Sequence, residues 1–190
     1  MNRILLVMDF INDLVHPDGK IARSSAYVKE YKVIEKANSL IAWARRENIP
    51  IGFVTVGFSL GYPECPLESP VFGKAPEYRA LQLGEWGTAF VDTLDVQPSD
   101  VVITKHRVSA FYGTKLSPFL HAQKAKHLIL CGCSTDMVVQ STARDAHDRD
   151  FQVTIAADAC GAIDALTHQK ALDLCTRIAM ISDMKTIIEY

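Results

Sequence analysis

The chain has 190 residues, of which 48% are hydrophobic and 22% charged, and its formal net charge is -2. This length and composition are ordinary for one soluble globular domain over residues 1–190. The near-neutral charge excludes the basic surface that nucleic acid or an anionic membrane would require, and no apolar run approaches the roughly 20 residues that span a bilayer.

The five cysteines, an odd number, lie mostly in apolar surroundings. Reduced thiols in the cytoplasm are the simpler interpretation, and the first residues lack the pattern of a signal peptide. Cys131 and Cys133 do not have the spacing of a zinc site. We therefore expect a cytoplasmic protein without a bound metal or other cofactor.

Short aliphatic runs alternate with longer amphipathic segments along the chain. In chain order the pattern predicts a strand over 4–8, a helix over 26–47, a strand over 51–56, an irregular segment over 57–87, a strand over 101–104, a helix over 116–124, a strand over 127–131, a helix over 135–148, a strand over 153–156, a helix over 166–176, a strand over 178–181 and a helix over 183–189. The irregular segment is rich in glycine and proline, which is typical of a loop that borders a site.

Continuous apolar strands that alternate with helices predict a parallel sheet covered on both faces. With right-handed crossovers, the fold is an α/β/α three-layer sandwich around a doubly wound, six-stranded, mainly parallel sheet of Rossmann-like type. In such folds ligands bind beyond the carboxyl ends of the strands. The residues that directly follow each strand are therefore the first candidates for a site.

Three strand ends carry polar groups. Asp9 follows the first strand, Lys105 the third, and the turn 132–136 the fourth, where it opens a helix. A carboxylate, an ammonium group and a set of backbone N–H donors together suit proton transfer and the binding of an oxyanion. Taken singly, each has a plainer interpretation: a turn residue for Asp9, a surface lysine for Lys105 and a helix N-cap for Thr135.

Four blocks of sequence around these residues are similar to blocks of the isochorismatase-like cysteine-hydrolase superfamily. They are residues 6–15 with the strand and its aspartate, 104–116 with the lysine, 130–146 with the turn and helix, and 157–160 after the fifth strand. The resemblance extends from residue 4 to about residue 189. It implies a homo-oligomer, a dimer or larger, that acts on a small-molecule substrate.

The resemblance also implies a catalytic triad, in which a cysteine attacks a C–N bond, an aspartate moves the proton and a lysine orients the aspartate. Asp9 and Lys105 match the family's aspartate and lysine, but the cysteine position falls on Val138. Valine has no nucleophile, so covalent catalysis at this position is excluded. True isochorismatases have glycine there and cleave a vinyl ether with the aspartate as general acid.

The family has a cis peptide bond in the turn, which by position is Cys133–Ser134. This turn directs the backbone N–H groups of Ser134 and Val138 at an oxyanion. Cys133 itself is a conceivable substitute nucleophile, although a buried apolar thiol is the simpler interpretation. The metal-binding Asp-x-His cluster of nicotinamidases has no counterpart in residues 55–59, and Ile11 stands where many relatives have glutamine.

Several apolar side chains are candidates for the wall of the pocket, with core packing as the alternative. They are Phe10, Val15, Trp86, Phe111 and Tyr112. The sequence thus predicts a hydrolase for a small polar metabolite, with either a C–N bond or a vinyl ether as its target. The alternatives are a disarmed or naturally non-catalytic ligand-binding member of the same fold, and a purely structural oligomer.

Overall fold

The structure is a computed structural model that describes residues 2–189. These residues form a six-stranded sheet in which every pair of neighbouring strands is parallel, in the order β3-β2-β1-β4-β5-β6. The strands are β1 Arg3–Met8, β2 Ile51–Val56, β3 Val101–Lys105, β4 His127–Cys133, β5 Gln152–Gly161 and β6 Met180–Ser182. This confirms the predicted α/β class and doubly wound sheet.

All helices except the last lie between strands in the chain, and the last follows β6. They are α1 Asn12–Val15, α2 Ser25–Glu30, α3 Val33–Arg46, α4 Ala75–Tyr78, α5 Leu116–Ala122, α6 Gln140–His147, α7 Ala165–Cys175 and α8 Met184–Glu189, together with a 3₁₀ turn at Trp86–Thr88 and a π-helical turn at Thr135–Val139. None of the helices among residues 2–189 has the length and apolarity to cross a membrane.

The strand order reverses between β1 and β4, which are neighbours in the centre of the sheet. All six residues of β2 and nearly all of β1 and β4 are buried, as expected for strands that are covered on both faces. In open α/β sheets the crevice outside such a reversal is the usual place for a ligand. Asp9 and Ser134 directly follow the two strands that flank it.

The predicted single helix over 26–47 is wrong, since the chain breaks at Lys32, which has φ 53°. Val28 and Val33 are both buried in the core. Five residues apart on one continuous helix, they would point about 140° away from each other. The break between α2 and α3 resets the helical phase so that both side chains are buried in the same core.

The segment 57–87 is irregular apart from α4 and the beginning of the 3₁₀ turn, as predicted. It is held to the N-terminal part of the chain by the buried carboxylate of Asp13, which accepts hydrogen bonds from the N–H groups of Lys20 (3.2 Å) and Leu81 (2.7 Å). The predicted helix over 135–148 begins with the π-helical turn and becomes α-helical at Gln140.

Candidate active site

Asp9 and Lys105 form an ion pair, with 2.8 Å between Lys105 Nζ and Asp9 Oδ2. Asp9 directly follows β1 and adopts a left-handed backbone conformation (φ 59°), which aspartate tolerates better than most residues. Lys105 is the last residue of β3 and also donates to the carbonyl oxygen of Arg107 (3.1 Å). Strand β2 lies between β1 and β3, so the long lysine side chain connects two strand ends that are not adjacent.

The two side chains are almost completely buried, with exposed fractions of 5% for Asp9 and 2% for Lys105. Burial raises the pKa of Asp9 above its ordinary value, and the neighbouring ammonium group of Lys105 opposes that rise. Oδ1 of Asp9 has no hydrogen-bond partner among residues 2–189. Asp9 thus keeps one oxygen for a bound molecule while Lys105 holds the other.

The turn after β4 passes close to the turn after β1. Gly132 has φ 157°, and a Cβ at this position would lie 2.5 Å from the carbonyl oxygen of Met8, so only glycine allows the approach. One residue further along the chain, the Cys133–Ser134 peptide bond is cis, as predicted. The close approach at Gly132 brings the Cys133–Val138 turn next to Asp9.

Thr135 is not the N-cap that its sequence position suggested, because Ser134 occupies that position without a side-chain cap. The Thr135 hydroxyl donates to the carbonyl oxygen of Gly161 (2.9 Å) and lies 2.8 Å from Nδ1 of His168. A hydroxyl has a single proton, so His168 is the donor to Thr135. Sequence reasoning missed His168, since nothing near the turn points to a histidine on α7.

Val138 is buried within the π-helical turn, with 2% of its surface exposed. The Cys133 thiol is also buried, and burial raises its pKa to about 12. At neutral pH such a thiol is protonated and therefore a poor nucleophile. Cys133 is thus buried, as the interpretation as an apolar thiol requires.

A cavity of about 460 Å³ opens in front of these groups. This volume lies in the range of sites for small molecules. Its floor consists of buried residues from the strand ends and from the segment 57–87: Asp9, Ser24, Val56, Phe72, Ala75, Leu81, Lys105, Cys133 and Val138. Its mouth consists of exposed residues: Arg23, Pro70, Val71, Lys74, Tyr78 and Ile163. The segment 57–87 thus borders the cavity, as predicted.

The five apolar residues predicted to line the pocket do not line this cavity. Phe10, Val15 and Phe111 are buried in the hydrophobic core, where they pack under the sheet and its helices. Trp86 and Tyr112 are 50% and 66% exposed, and Trp86 meets the ring of His16 edge to face. The sequence neighbours of a site residue point in different directions, and part of the cavity lining comes instead from residues 70–81.

Among residues 2–189, no group of three or more histidine, cysteine, aspartate or glutamate side chains is arranged to hold a metal ion. The groups that the structure brings together are therefore Asp9, Lys105, and the turn from Cys133 to Val138. This arrangement can transfer a proton in a partly closed, largely apolar cavity.

Comparison with known proteins identifies the family. The sequence model described as "Isochorismatase domain" matches residues 3–186. An uncharacterized isochorismatase family protein, YecD of Escherichia coli O157:H7, is 35% identical over 83% of this chain and 82% of its own length. Ureidoacrylate amidohydrolase RutB of Yersinia enterocolitica is 32% identical over 93% of this chain and 79% of its own length.

Solved structures agree with this result. N-carbamoylsarcosine amidase from Thermoplasma acidophilum superimposes with a TM-score of 0.78 at 27% identity, covering 97% of both chains. A cysteine hydrolase from Pseudomonas syringae shares the fold with a TM-score of 0.89 at 17% identity, covering 99% of this chain and 91% of that one. The chain belongs to the isochorismatase family of hydrolases.

Proposed function

We propose that the chain hydrolyses a small metabolite by general acid catalysis at Asp9, without a thiol and without a covalent intermediate. The observation that carries this proposal is that Asp9 lines the cavity with a buried Oδ1 that has no hydrogen-bond partner among residues 2–189, beside an Oδ2 that Lys105 holds. A carboxyl group whose pKa is raised by burial keeps its proton at higher pH than an exposed one, so it can donate that proton to a substrate.

The remaining groups have supporting roles in this proposal. Asp9 Oδ1 protonates the vinyl carbon of the substrate, and water adds to the resulting oxocarbenium ion and returns a proton to the Asp9 carboxylate. The hemiketal that forms then breaks down to a carbonyl compound and an alcohol. Lys105 orients Asp9 and stabilises its carboxylate while the proton is away. The backbone N–H groups of Ser134 and Val138 stabilise the negative charge that develops on oxygen as the hemiketal breaks down, and the side chain of Val138 limits the size of the group bound there.

The type of bond follows from the missing nucleophile. A vinyl ether is cleaved by protonation and addition of water, whereas a C–N bond of an amide or ureide is usually attacked by a nucleophile. Two of the relatives are named as an amidohydrolase and an amidase. Because Val138 stands in place of a cysteine, we favour a vinyl ether as the substrate of this chain. A cysteine restored at position 138 would instead attack a C–N bond.

A second candidate function is the binding of a small molecule without turnover. It is favoured by the same Val138, because loss of a nucleophile is what a disused hydrolase site would show. The intact ion pair of Asp9 and Lys105 argues against it, since two buried charges are costly to maintain in a site that has no use for them.

The cellular compartment and the oligomeric state of the enzyme are also part of the proposal. All five cysteines are free and buried, which suits a reducing compartment such as the cytoplasm. The proposal also includes a homo-oligomer, a dimer or larger, whose contacts would cover some of the exposed apolar side chains, such as Leu60 and Leu166 at 82% and 65%. Sedimentation of the purified chain tests the oligomer directly.

The test of the function is a hydrolysis assay of the native chain, Asp9→Asn and Val138→Cys on isochorismate and on a panel of small amides and ureides. The proposal expects the native chain to turn over the vinyl ether and Asp9→Asn to be inactive. Turnover of C–N substrates by Val138→Cys alone would identify the native chain as a disarmed cysteine hydrolase. If neither the native chain nor Val138→Cys turns over any substrate while a ligand still binds, the result would favour the second candidate function, binding without turnover.

A further inference from the structure

The mouth of the cavity carries positive charge that the ion pair at its floor does not use. The charged residues that line the cavity are Asp9, Arg23, Lys74, Lys105 and Asp136. Asp9 and Lys105 neutralise each other, which leaves two cations against one carboxylate. Both of these cations are exposed, so they lie where the cavity opens to water.

Arg23 is the cation best placed to receive a ligand. Within the part of the chain that the structure describes, no carboxylate lies within ion-pair distance of its guanidinium group. Lys74 has a partner, Glu77, but the two atoms are 3.9 Å apart and the side chains are 71% and 66% exposed. Exposed pairs of this kind are weak, so Lys74 is readily available as a second cation.

Much of the floor around Asp9 is apolar. Its buried apolar residues include Val56, Phe72, Leu81 and Val138, and Val108 also lines the cavity. A molecule that fills the cavity therefore meets a cation at the mouth and, at the floor, an apolar surface beside an acid. A small molecule with a carboxylate at one end and a compact apolar or unsaturated body fits this sequence of surfaces.

We infer that the substrate is an organic carboxylate, with a carboxylate group bound by Arg23 and by Lys74 in support, while its reacting bond lies at Asp9. This inference rests on the proposed function and names the substrate class for that site. The planar guanidinium group presents paired N–H donors that match both oxygens of a carboxylate. Because this contact is equal in the ground state and the transition state, it lowers KM rather than raising kcat.

The test is a binding titration with benzoate and benzamide, which have the same shape and differ in charge. Each dissociation constant is measured by NMR for the native chain, Arg23→Gln and Arg46→Gln, at low and high salt. Arg46 is the matched control, since it is exposed at the end of α3 beside Glu47 and does not line the cavity. Circular dichroism confirms that each variant is folded.

The expected result is tighter binding of benzoate than of benzamide, a preference that high salt weakens. Arg23→Gln should weaken benzoate binding by about tenfold and leave benzamide unchanged, while Arg46→Gln changes neither. Equal affinities for the two probes, no benzoate binding at millimolar concentration, or a preference that survives Arg23→Gln would each overturn the inference.

The outcome is separable from that of the proposed function, because the titration measures no turnover. A chain that needs Asp9 for turnover but has no preference for benzoate contradicts the inference alone. A chain with the preference but without turnover contradicts the proposed function alone.

Discussion

Two ion pairs, one buried and one partly exposed, stand at opposite edges of the sheet. Asp9 and Lys105 lie at the carboxyl edge, in the floor of the cavity. Asp100 directly precedes β3 at the amino edge and is bound by Arg45 from the end of α3. Arg45 Nη1 donates to Asp100 Oδ1 (2.9 Å), and Oδ2 accepts from Arg45 Nη2 and from the N–H of Gln97, each at 2.8 Å.

The difference between the pairs separates a structural carboxylate from a functional one. Both oxygens of Asp100 are satisfied, and the hydrogen bonds from Arg45 lower the pKa of Asp100. One oxygen of Asp9 has no partner within residues 2–189, and burial raises the pKa of Asp9. A carboxylate that is bound on all sides supports the fold, whereas one left open at a cavity can act on a ligand.

The largest expected effect comes from making the same substitution in both pairs. Asp9→Asn should reduce kcat by about 10²- to 10⁴-fold, because the amide has no proton of suitable acidity to give. Asparagine tolerates the left-handed backbone at this position, so the fold should survive. Asp100→Asn is the matched control and should leave kcat within about twofold, since a change far from the reacting atoms does not alter transition-state binding. Steady-state kinetics on the native substrate compares the two variants. Equal losses of kcat would contradict the distinction between a functional and a structural carboxylate.

Lys105→Met probes how much the Asp9–Lys105 ion pair contributes to the stability of the fold. Removal of the cation leaves Asp9 buried without a partner, and we expect a loss of about 3 kcal/mol in the free energy of unfolding at neutral pH. The loss should shrink as the pH falls, because a protonated Asp9 needs no cation. Lys36→Met is the control, because Lys36 lies 3.8 Å from Asp158 in a partly exposed pair. This substitution should lower the free energy of unfolding by less than about 1 kcal/mol. Urea unfolding at several pH values measures both.

Asp100→Asn tests how the contribution of the Arg45–Asp100 pair to stability depends on pH. The folded-state pKa of Asp100 is lowered, so its contribution to stability is present above the unfolded-state pKa and is lost as the pH falls through the folded-state pKa. We expect the native chain to be about 1.5–3 kcal/mol more stable than this variant at neutral pH, and the gap to close in acid. A raised folded-state pKa, as for Asp9, gives a contribution that is lost as the pH rises. A gap independent of pH would show that Asp100 is not held as a carboxylate.

The smallest effect concerns the turn beside Asp9. Thr135→Val leaves the Gly161 carbonyl and the His168 ring without their shared hydroxyl, which should lower stability by about 1 kcal/mol. Thr135→Ser keeps the hydroxyl and should remain close to the native chain. Thermal unfolding of both variants measures the difference in stability. Equal stabilities would show that the Thr135 hydroxyl does not stabilise the turn.

The sequence predicts the floor of the cavity better than its mouth. Asp9 and Lys105 were found because strands have a clear apolar pattern and the carboxyl ends of parallel strands meet at one edge. Their pairing depends on a lysine long enough to reach past β2, which no local pattern encodes.

The mouth could not be predicted in the same way. Its residues come from 70–78, where the chain has no periodicity, and from Arg23 and Ile163, which reach it only through tertiary packing. For the same reason Trp86 and Tyr112, although close in sequence to site segments, are exposed away from the cavity. The break at Lys32 was missed because both halves of the segment are amphipathic on their own.

The measurement that tests the central claim most directly is the dependence of kcat on pH for the native chain. A general acid must be protonated, so kcat should fall as the pH rises through the pKa of Asp9, which lies above its ordinary value of 3.8. A thiol mechanism has the opposite sign, because its nucleophile forms as the thiol ionises, and the pKa of Cys133 is about 12. A rise of kcat toward alkaline pH would contradict the account of Asp9 as the acid.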